Sequence, residues 1–277
     1  MINTITGVIM SDKIKFGQFF TEQNPFETII FDKWYRSACL NSNMCVPILE
    51  PFAGACHIID HVNHMVGGGV VFDCYDIDPH DGRVKQRDTL VDFPVGYDIC
   101  ITNPPYLGKS SATRMGVEYP DCAVDYADVY LHALSKALDA CDYIAMIIPE
   151  SFISQKRFKD RLMAIDSITT PIFSDTTIPV CVAYFGPSPT FGGYSMYTNG
   201  EYLGIYSDIL CKIDPNVGVS RFKYNDQLGT WACMLLIVLK SAYGLFMVMN
   251  SPWKKYHIVG GHTRAFLDYL WILILTY

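Results

Sequence analysis

With 277 residues, half of them hydrophobic, the chain can bury a sizeable core as one large α/β domain, alone or with a smaller appendage. Its ten cysteines form no Cys-x-x-Cys pair and no zinc-type grouping with histidine, which points to reduced thiols in a cytoplasm, with neither disulfide nor structural metal expected. The net charge of −7 excludes a uniformly basic surface, but it is unevenly spread: residues 1–200 carry 14 Lys+Arg against 23 Asp+Glu, a balance of −9, and residues 201–277 carry 7 against 5, a balance of +2. Contact with a polyanion is therefore better sought in the C-terminal part.

Met1 to Asp12 lacks the basic and apolar regions of a signal peptide. Lys15 to Thr21 then leads into Pro25 to Leu40, where Phe26, Ile29, Ile30, Trp34 and Ala38 recur at helical spacing. Thr21 and Asn24 near the start and Pro25 in the first turn account for this entrance as capping, and its amides could equally hold a carboxylate.

Cys45 to Glu50 reads as a short buried strand, followed by the small-residue loop Pro51-Phe52-Ala53-Gly54-Ala55-Cys56 and a helix from His57. This is the first βα turn of a doubly wound sheet, where such folds bind cofactors. It is not a dinucleotide fingerprint, and Glu50 opposes phosphate while suiting a cationic cofactor. His57 and His61 lie one helical turn apart but lack a third metal ligand nearby. Gly67-Gly68-Gly69 ends the helix, and a second strand, Val70 to Tyr75, finishes at Asp76-Ile77-Asp78-Pro79. Asp76 stands where ribose hydroxyls are held in these folds, and Ile77 could cover one face of an adenine. Asp88, at a following turn, is either a solvated loop residue or an acceptor for an adenine amino group.

The strand Tyr97 to Thr102 runs into Asn103-Pro104-Pro105-Tyr106. Two prolines end a strand, because they lack N–H donors and have fixed φ. The tetrad thus sets an amide oxygen and a proline carbonyl, both able to accept from one –NH2 group, beside a ring on which a planar base can stack. Taken alone it is equally a turn without chemistry. Leu107 to Val124, with Lys109, Ser110, Ser111 and Arg114, is read as a phosphate-touching or merely exposed loop. A helix is expected over Asp125 to Leu138, a strand over Tyr143 to Ile148, a helical pattern over Lys156 to Met163, and a hairpin pairing Ser167–Phe173 with Ile178–Phe185.

From Gly186 the composition shifts to Gly, Pro, Ser and Tyr, and a boundary is placed there, giving domains 1–186 and 187–277. The apolar stretches Trp231–Asn250, interrupted by Lys240, and Ala265–Tyr277 are read as buried elements rather than membrane spans.

In order, these stretches resemble the amino-group DNA methyltransferases, specifically adenine-N6 enzymes of restriction–modification type, over roughly residues 15–185. Phe16-Gly17-Gln18-Phe19-Phe20-Thr21 is similar to that family's N-terminal cofactor motif, Glu50-Pro51-Phe52-Ala53-Gly54 to its cofactor loop, and Asn103-Pro104-Pro105-Tyr106 to its catalytic loop. The resemblance implies an α/β fold, a doubly wound, mostly parallel seven-stranded sheet with an antiparallel hairpin, followed by a small target-recognition region. It implies S-adenosylmethionine as cofactor and double-stranded DNA as partner, in a cytoplasmic monomer. A cognate restriction endonuclease would share the site without having to bind. The implied contacts are Phe16 and Thr21 at the cofactor's methionine end and Glu50, with Pro51, Ala53 and Gly54, near its amino group and sulfonium. Asp76 is implied at the ribose, and Ile77 and Asp88 at the adenine. Asn103, Pro104, Pro105 and Tyr106 are implied in catalysis, Asn103 also at the cofactor, with Tyr106 and Phe173 on the flipped base and Lys109, Lys254, Lys255 and Arg264 toward DNA. One departure is Cys56, where many members have a second glycine, so that a side chain stands near the cofactor loop. An RNA or protein-glutamine methyltransferase, or a catalytically weak DNA-binding relic, remains the alternative.

Overall fold

The computed structural model describes residues 23–43, 46–173, 178–190 and 192–212, together with short strands at 246–248 and 257–259. Phe16, Thr21, Lys254, Lys255 and Arg264 lie outside the described residues. Two compact units are formed, Met1–Ser207 and Asp208–Tyr277.

In the first unit, helix α1 (Ile29–Asn41) is capped by Thr28, whose hydroxyl accepts from Phe31 N, rather than by Asn24. Asn24 instead closes its own turn by accepting from Phe26 N, so Pro25 lies outside the helix. Phe31, Trp34 and Ala38 are buried, and the Trp34 indole donates to Phe185 O at 2.9 Å, fixing the helix to the sheet.

Strand β1 (Ile48–Glu50) leads to helix α2 (His57–Val66), which stops at Gly67 in the left-handed conformation as its glycines require. Strands β2 (Phe72–Asp76), β3 (Lys85–Gln86) and β4 (Ile99–Thr102) follow. The expected loop after the tetrad contains a short helix, α3 (Lys109–Met115), because Gly108 and Gly116 frame seven residues whose Ala112 finds a buried site. Helix α4 (Val129–Ala140) starts at an Asp128 cap and precedes β5 (Tyr143–Pro149).

The helix expected over Lys156–Met163 does not form. A 3-10 turn occupies Glu150–Ser154, Phe158 adopts φ 64°, and β6 (Leu162–Ile168) begins where the helix should end. Long-range partners decide this: Lys159 donates to Phe152 O, and Arg161 donates to the carbonyls of Leu138, Cys141, Asp142 and Gly186. The hairpin forms, with its first strand shifted toward the N-terminus: β6 pairs antiparallel with β7 (Val180–Phe185) from Leu162↔Phe185 to Ile168↔Val180.

The sheet has nine strands rather than seven, in the order β3-β2-β1-β4-β5-β7-β6-β8-β9. Its first seven positions are the expected mostly parallel sheet with an antiparallel β7 between β5 and β6. The other two, β8 (Ser195–Thr198) and β9 (Glu201–Ile205), add to the free edge of β6, so the sheet continues past residue 186, where composition placed a boundary. Buried Asp166 on β6 holds the β8–β9 turn by accepting from Gly200 N at 3.0 Å, a partnership no local pattern announces. Helix α5 (Tyr206–Lys212) follows. In the second unit, β10 (Phe246–Val248) and β11 (His257–Val259) pair antiparallel. No helix among the described residues is long and apolar enough to cross a membrane.

Candidate active site

Strand order reverses between β1 and β4, whose neighbours on either side run outward in opposite directions, the switch point outside whose carboxyl ends such folds bind ligands. Glu50 ends β1, Asp76 ends β2 and Asn103 follows β4, so three separated motifs converge on one edge.

Glu50 is fully buried. Its Oε1 accepts from Thr102 Oγ1 at 2.5 Å and from Phe52 N at 3.1 Å, whereas Oε2 has no hydrogen-bond partner in the structure. Burial raises its carboxyl to about 8, against the lowering effect of those two donors. A desolvated carboxylate oxygen without a partner fits a cationic or hydrogen-donating group and repels phosphate. The donor set thus fits a cofactor that is cationic near this loop, and Glu50 would hold it.

Asp76 is 5% exposed and uses one oxygen on Gly54 N, at 2.8 Å, and the other on Asp78 N, at 2.9 Å. The residue expected at a ribose therefore also braces the cofactor loop. Ile77 is exposed just beyond it. Asp88 is exposed, and its Oδ1 accepts from Leu90 N in a local turn. That turn is tied to the site twice: buried Thr89 donates to Pro51 O at 2.7 Å, and His132 on α4 donates through Nε2 to Leu90 O at 2.9 Å.

Cys56 takes φ 64°, the left-handed region that favours glycine. Its side chain is nonetheless fully buried with Ala53, Ile59, Cys74 and Val84. Burial pushes its thiol up to about 11. At 0% exposure the side chain presents no surface for a ligand to meet. Cys56→Gly is expected to leave cofactor affinity within about twofold, measured by titration calorimetry, since strain and packing rather than contact are altered.

In the tetrad, Tyr106 is buried, and its hydroxyl lies 2.5 Å from Asn103 Oδ1 and 3.0 Å from Ile147 O of β5. Its ring meets Tyr130 edge-on (centroids 6.4 Å apart, 87°) and Phe173 edge-on (6.2 Å, 74°). Tyr106 and Phe173 are thus brought together as neighbours in contact, and a base between their faces needs one ring to turn. Lys109 directs its ammonium to Val124 O at 3.1 Å.

Two residues not anticipated hold this edge. Thr102 joins the ends of β1 and β4 through Glu50, and Asp128 accepts from Leu107 N (3.2 Å) and Tyr130 N (3.3 Å), pinning the chain leaving the tetrad to the start of α4. Asp128 was legible in principle, as an acidic residue immediately before a helical pattern. Thr102 carried no such signal.

The fold is similar to several solved structures, all of low identity. A class I S-adenosylmethionine-dependent methyltransferase from Listeria monocytogenes aligns at TM-score 0.45 and 13% identity, covering 70% of this chain and 72% of that one. The type I restriction-modification methyltransferase subunit from Streptococcus thermophilus aligns at 0.41 and 13%, covering 68% and 51%. A DrdV–DNA complex aligns at 0.48 and 13%, covering 71% and 29%. The chain therefore spans about half the length of the type I subunit. No curated protein sequence matches it. Residues 62–183, which carry Asp76, Asp88 and the whole Asn103–Tyr106 tetrad, match the model of the Eco57I restriction-modification methylase family, and the resemblance to restriction–modification methyltransferases read from the motifs is thereby borne out.

Proposed function

We propose that this chain transfers a methyl group from S-adenosylmethionine to the exocyclic N6 amine of an adenine flipped out of duplex DNA, as the modification enzyme of a restriction–modification system. The observation that carries this reading is the Asn103-Pro104 acceptor pair set one residue beyond Thr102, which is bonded to the half-satisfied carboxylate of Glu50. S-adenosylmethionine supplies, when bound, a methyl already activated on a cationic sulfur. Glu50 Oε2 would receive the cationic end, Asp76 the ribose hydroxyls, and Ile77 and Asp88 the adenine.

Asn103 Oδ1 and the Pro104 carbonyl would accept the two N6 hydrogens. Holding both orients the nitrogen lone pair toward the methyl and stabilises the positive charge that develops on the amine. An adenine stacked in a duplex cannot reach this edge, so the base leaves the helix, with Tyr106 and Phe173 as its aromatic neighbours. Target recognition is assigned to the C-terminal region, with Lys254, Lys255 and Arg264 contacting phosphate and Lys109 reaching DNA from the catalytic side.

The test is transfer of labelled methyl from S-adenosylmethionine to duplex DNA, followed by nucleoside analysis. Label in N6-methyladenine is the expected result. Label confined to RNA, protein or cytosine overturns it.

A further inference from the structure

We propose that Arg157, carried on the rings of Tyr126 and Phe158, takes a backbone phosphate of duplex DNA beside the catalytic edge. This inference rests on the proposed action on DNA, and it gives the catalytic unit a phosphate contact that neither the motifs nor the charge balance announced.

The contact is built by the segment whose helical pattern fails to form a helix. Consecutive side chains point about 100° apart on a helix and to opposite faces of a strand, so neither form brings two neighbours onto one ring. Phe158, at φ 64°, departs from both. The Arg157 Cζ atom lies 4.9 Å from the centre of the Tyr126 ring and 4.9 Å from that of Phe158, and the two rings stack with centres 6.4 Å apart and 21° between their planes. A bulky residue in the left-handed region is strained, and such strain gathers where a site is preorganised. Lys159 holds the path by donating to Phe152 O at 2.8 Å.

The guanidinium selects its partner by what it leaves unused. Aromatic rings engage its faces, while its N–H donors lie in its plane and point outward as a fork. Arg157 is exposed and, among the described residues, makes no ion pair and no hydrogen bond. The forks of Arg83 and Arg87, by contrast, are taken by carboxylates. A planar fork with idle donors, held flat by two rings, fits an oxyanion taken in bidentate fashion, as phosphate is. Residues 1–200 sum to −9, but a phosphate responds to the charge beside it.

Two paths place this cation next to the tetrad. Ala127, the neighbour of Tyr126, accepts from Lys109 N at 2.9 Å, and Asp128 holds Leu107 N, so the platform is joined to the chain leaving Tyr106. Arg157 itself follows the carboxyl end of β5, whose parallel neighbour β4 runs into Asn103. The Tyr126 ring also meets His132 edge-on (5.4 Å, 63°), the residue bonded to the turn of Asp88. A strand that presents a base to Asn103 carries its phosphates past this edge.

The experiment uses the full-length protein and a fluorescent duplex of mixed sequence, since phosphate contacts do not depend on sequence. In anisotropy titrations across a range of salt, Arg157→Gln is expected to weaken binding by about 3- to 10-fold near about 0.1 M salt. It should also reduce the slope of log affinity against log salt by about 0.9, the share of one phosphate. Tyr126→Leu, which removes one supporting ring, should weaken binding less and add little to Arg157→Gln. Arg36→Gln, on α1 and paired with Asp32, should leave both affinity and slope unchanged. Affinity for S-adenosylmethionine, measured by calorimetry, should stay within about twofold in all variants, which separates loss of a contact from loss of the fold. An unchanged slope in Arg157→Gln, or an equal change in Arg36→Gln, overturns the proposal. A loss seen on single-stranded RNA and not on the duplex overturns the choice of partner. A parent protein that does not bind the duplex overturns this contact and the DNA reading together, whereas binding that depends on Arg157 without methyl transfer supports the contact and counts against the reaction alone.

Discussion

Asn103→Ala is expected to reduce methyl transfer by about 10²–10³-fold or more while leaving cofactor affinity within about threefold. The loss follows from the chemistry of the amine. An aromatic exocyclic nitrogen is a poor nucleophile because its lone pair is delocalised into the ring, and the side-chain oxygen of Asn103 draws that nitrogen toward a tetrahedral geometry as charge develops on it. Alanine leaves the Pro104 carbonyl alone, so one of two preorganised acceptors is gone. Cofactor affinity is largely spared because Glu50 and the loop at Gly54 are held by Thr102, Phe52 and Asp76. Single-turnover assays with calorimetric binding separate the two quantities. A parallel fall in affinity and rate would mean that Asn103 supports the cofactor rather than the amine.

Glu50 gives the second large effect, and its sign can be derived. Burial holds its carboxyl at about 8 in the free protein, so below that pH the group is mainly neutral. A cationic ligand binds the ionised form and must expel the proton, so affinity should fall by up to about tenfold for each pH unit below 8 and level off above it. Glu50→Gln should abolish that dependence and bind about as weakly at pH 8.5 as the parent protein does near pH 6. Stability should move the opposite way. The folded value lies above the ordinary 4.5, so the folded state holds the proton more tightly than the unfolded chain does. The group's stabilising contribution is therefore complete below about 4.5 and lost as pH rises to about 8. Free Glu50→Gln, which never ionises, should accordingly melt higher than the parent protein at pH 8 and nearly equally at pH 5. Calorimetric titration and thermal melts between about pH 5 and 9 check both halves. A flat affinity profile in the parent protein would show that Glu50 does not face the cation.

What the sequence determined by itself is the set of strand ends and the chemistry attached to them. Glu50-Pro51, Asp76 to Pro79 and Asn103-Pro104-Pro105-Tyr106 are each an apolar run stopped by residues that cannot continue a ladder, so the stopping points could be read locally. They converge on one edge because β1, β2 and β4 are neighbouring parallel strands. The composition change at Gly186 was also visible, but it did not end the sheet, since β8 needs only the free edge of β6, some thirty residues earlier in the chain.

What tertiary structure alone decided are the matters of partner and direction. Lys156 to Met163 has helical spacing, yet the carbonyls reached by Lys159 and Arg161 belong to other elements and hold the chain in an irregular path. Cys56 looked like a side chain intruding on a ligand loop, and its left-handed backbone turns it into the core instead. Thr102 meets Glu50 across 52 positions and Tyr106 meets Ile147 across 41, and neither pairing leaves a periodicity to detect. Local patterns record what a segment can bury and where it must stop. A hydrogen-bond partner contributed by a distant strand exists only once the sheet has formed, so the half-satisfied carboxyl of Glu50 becomes visible only there.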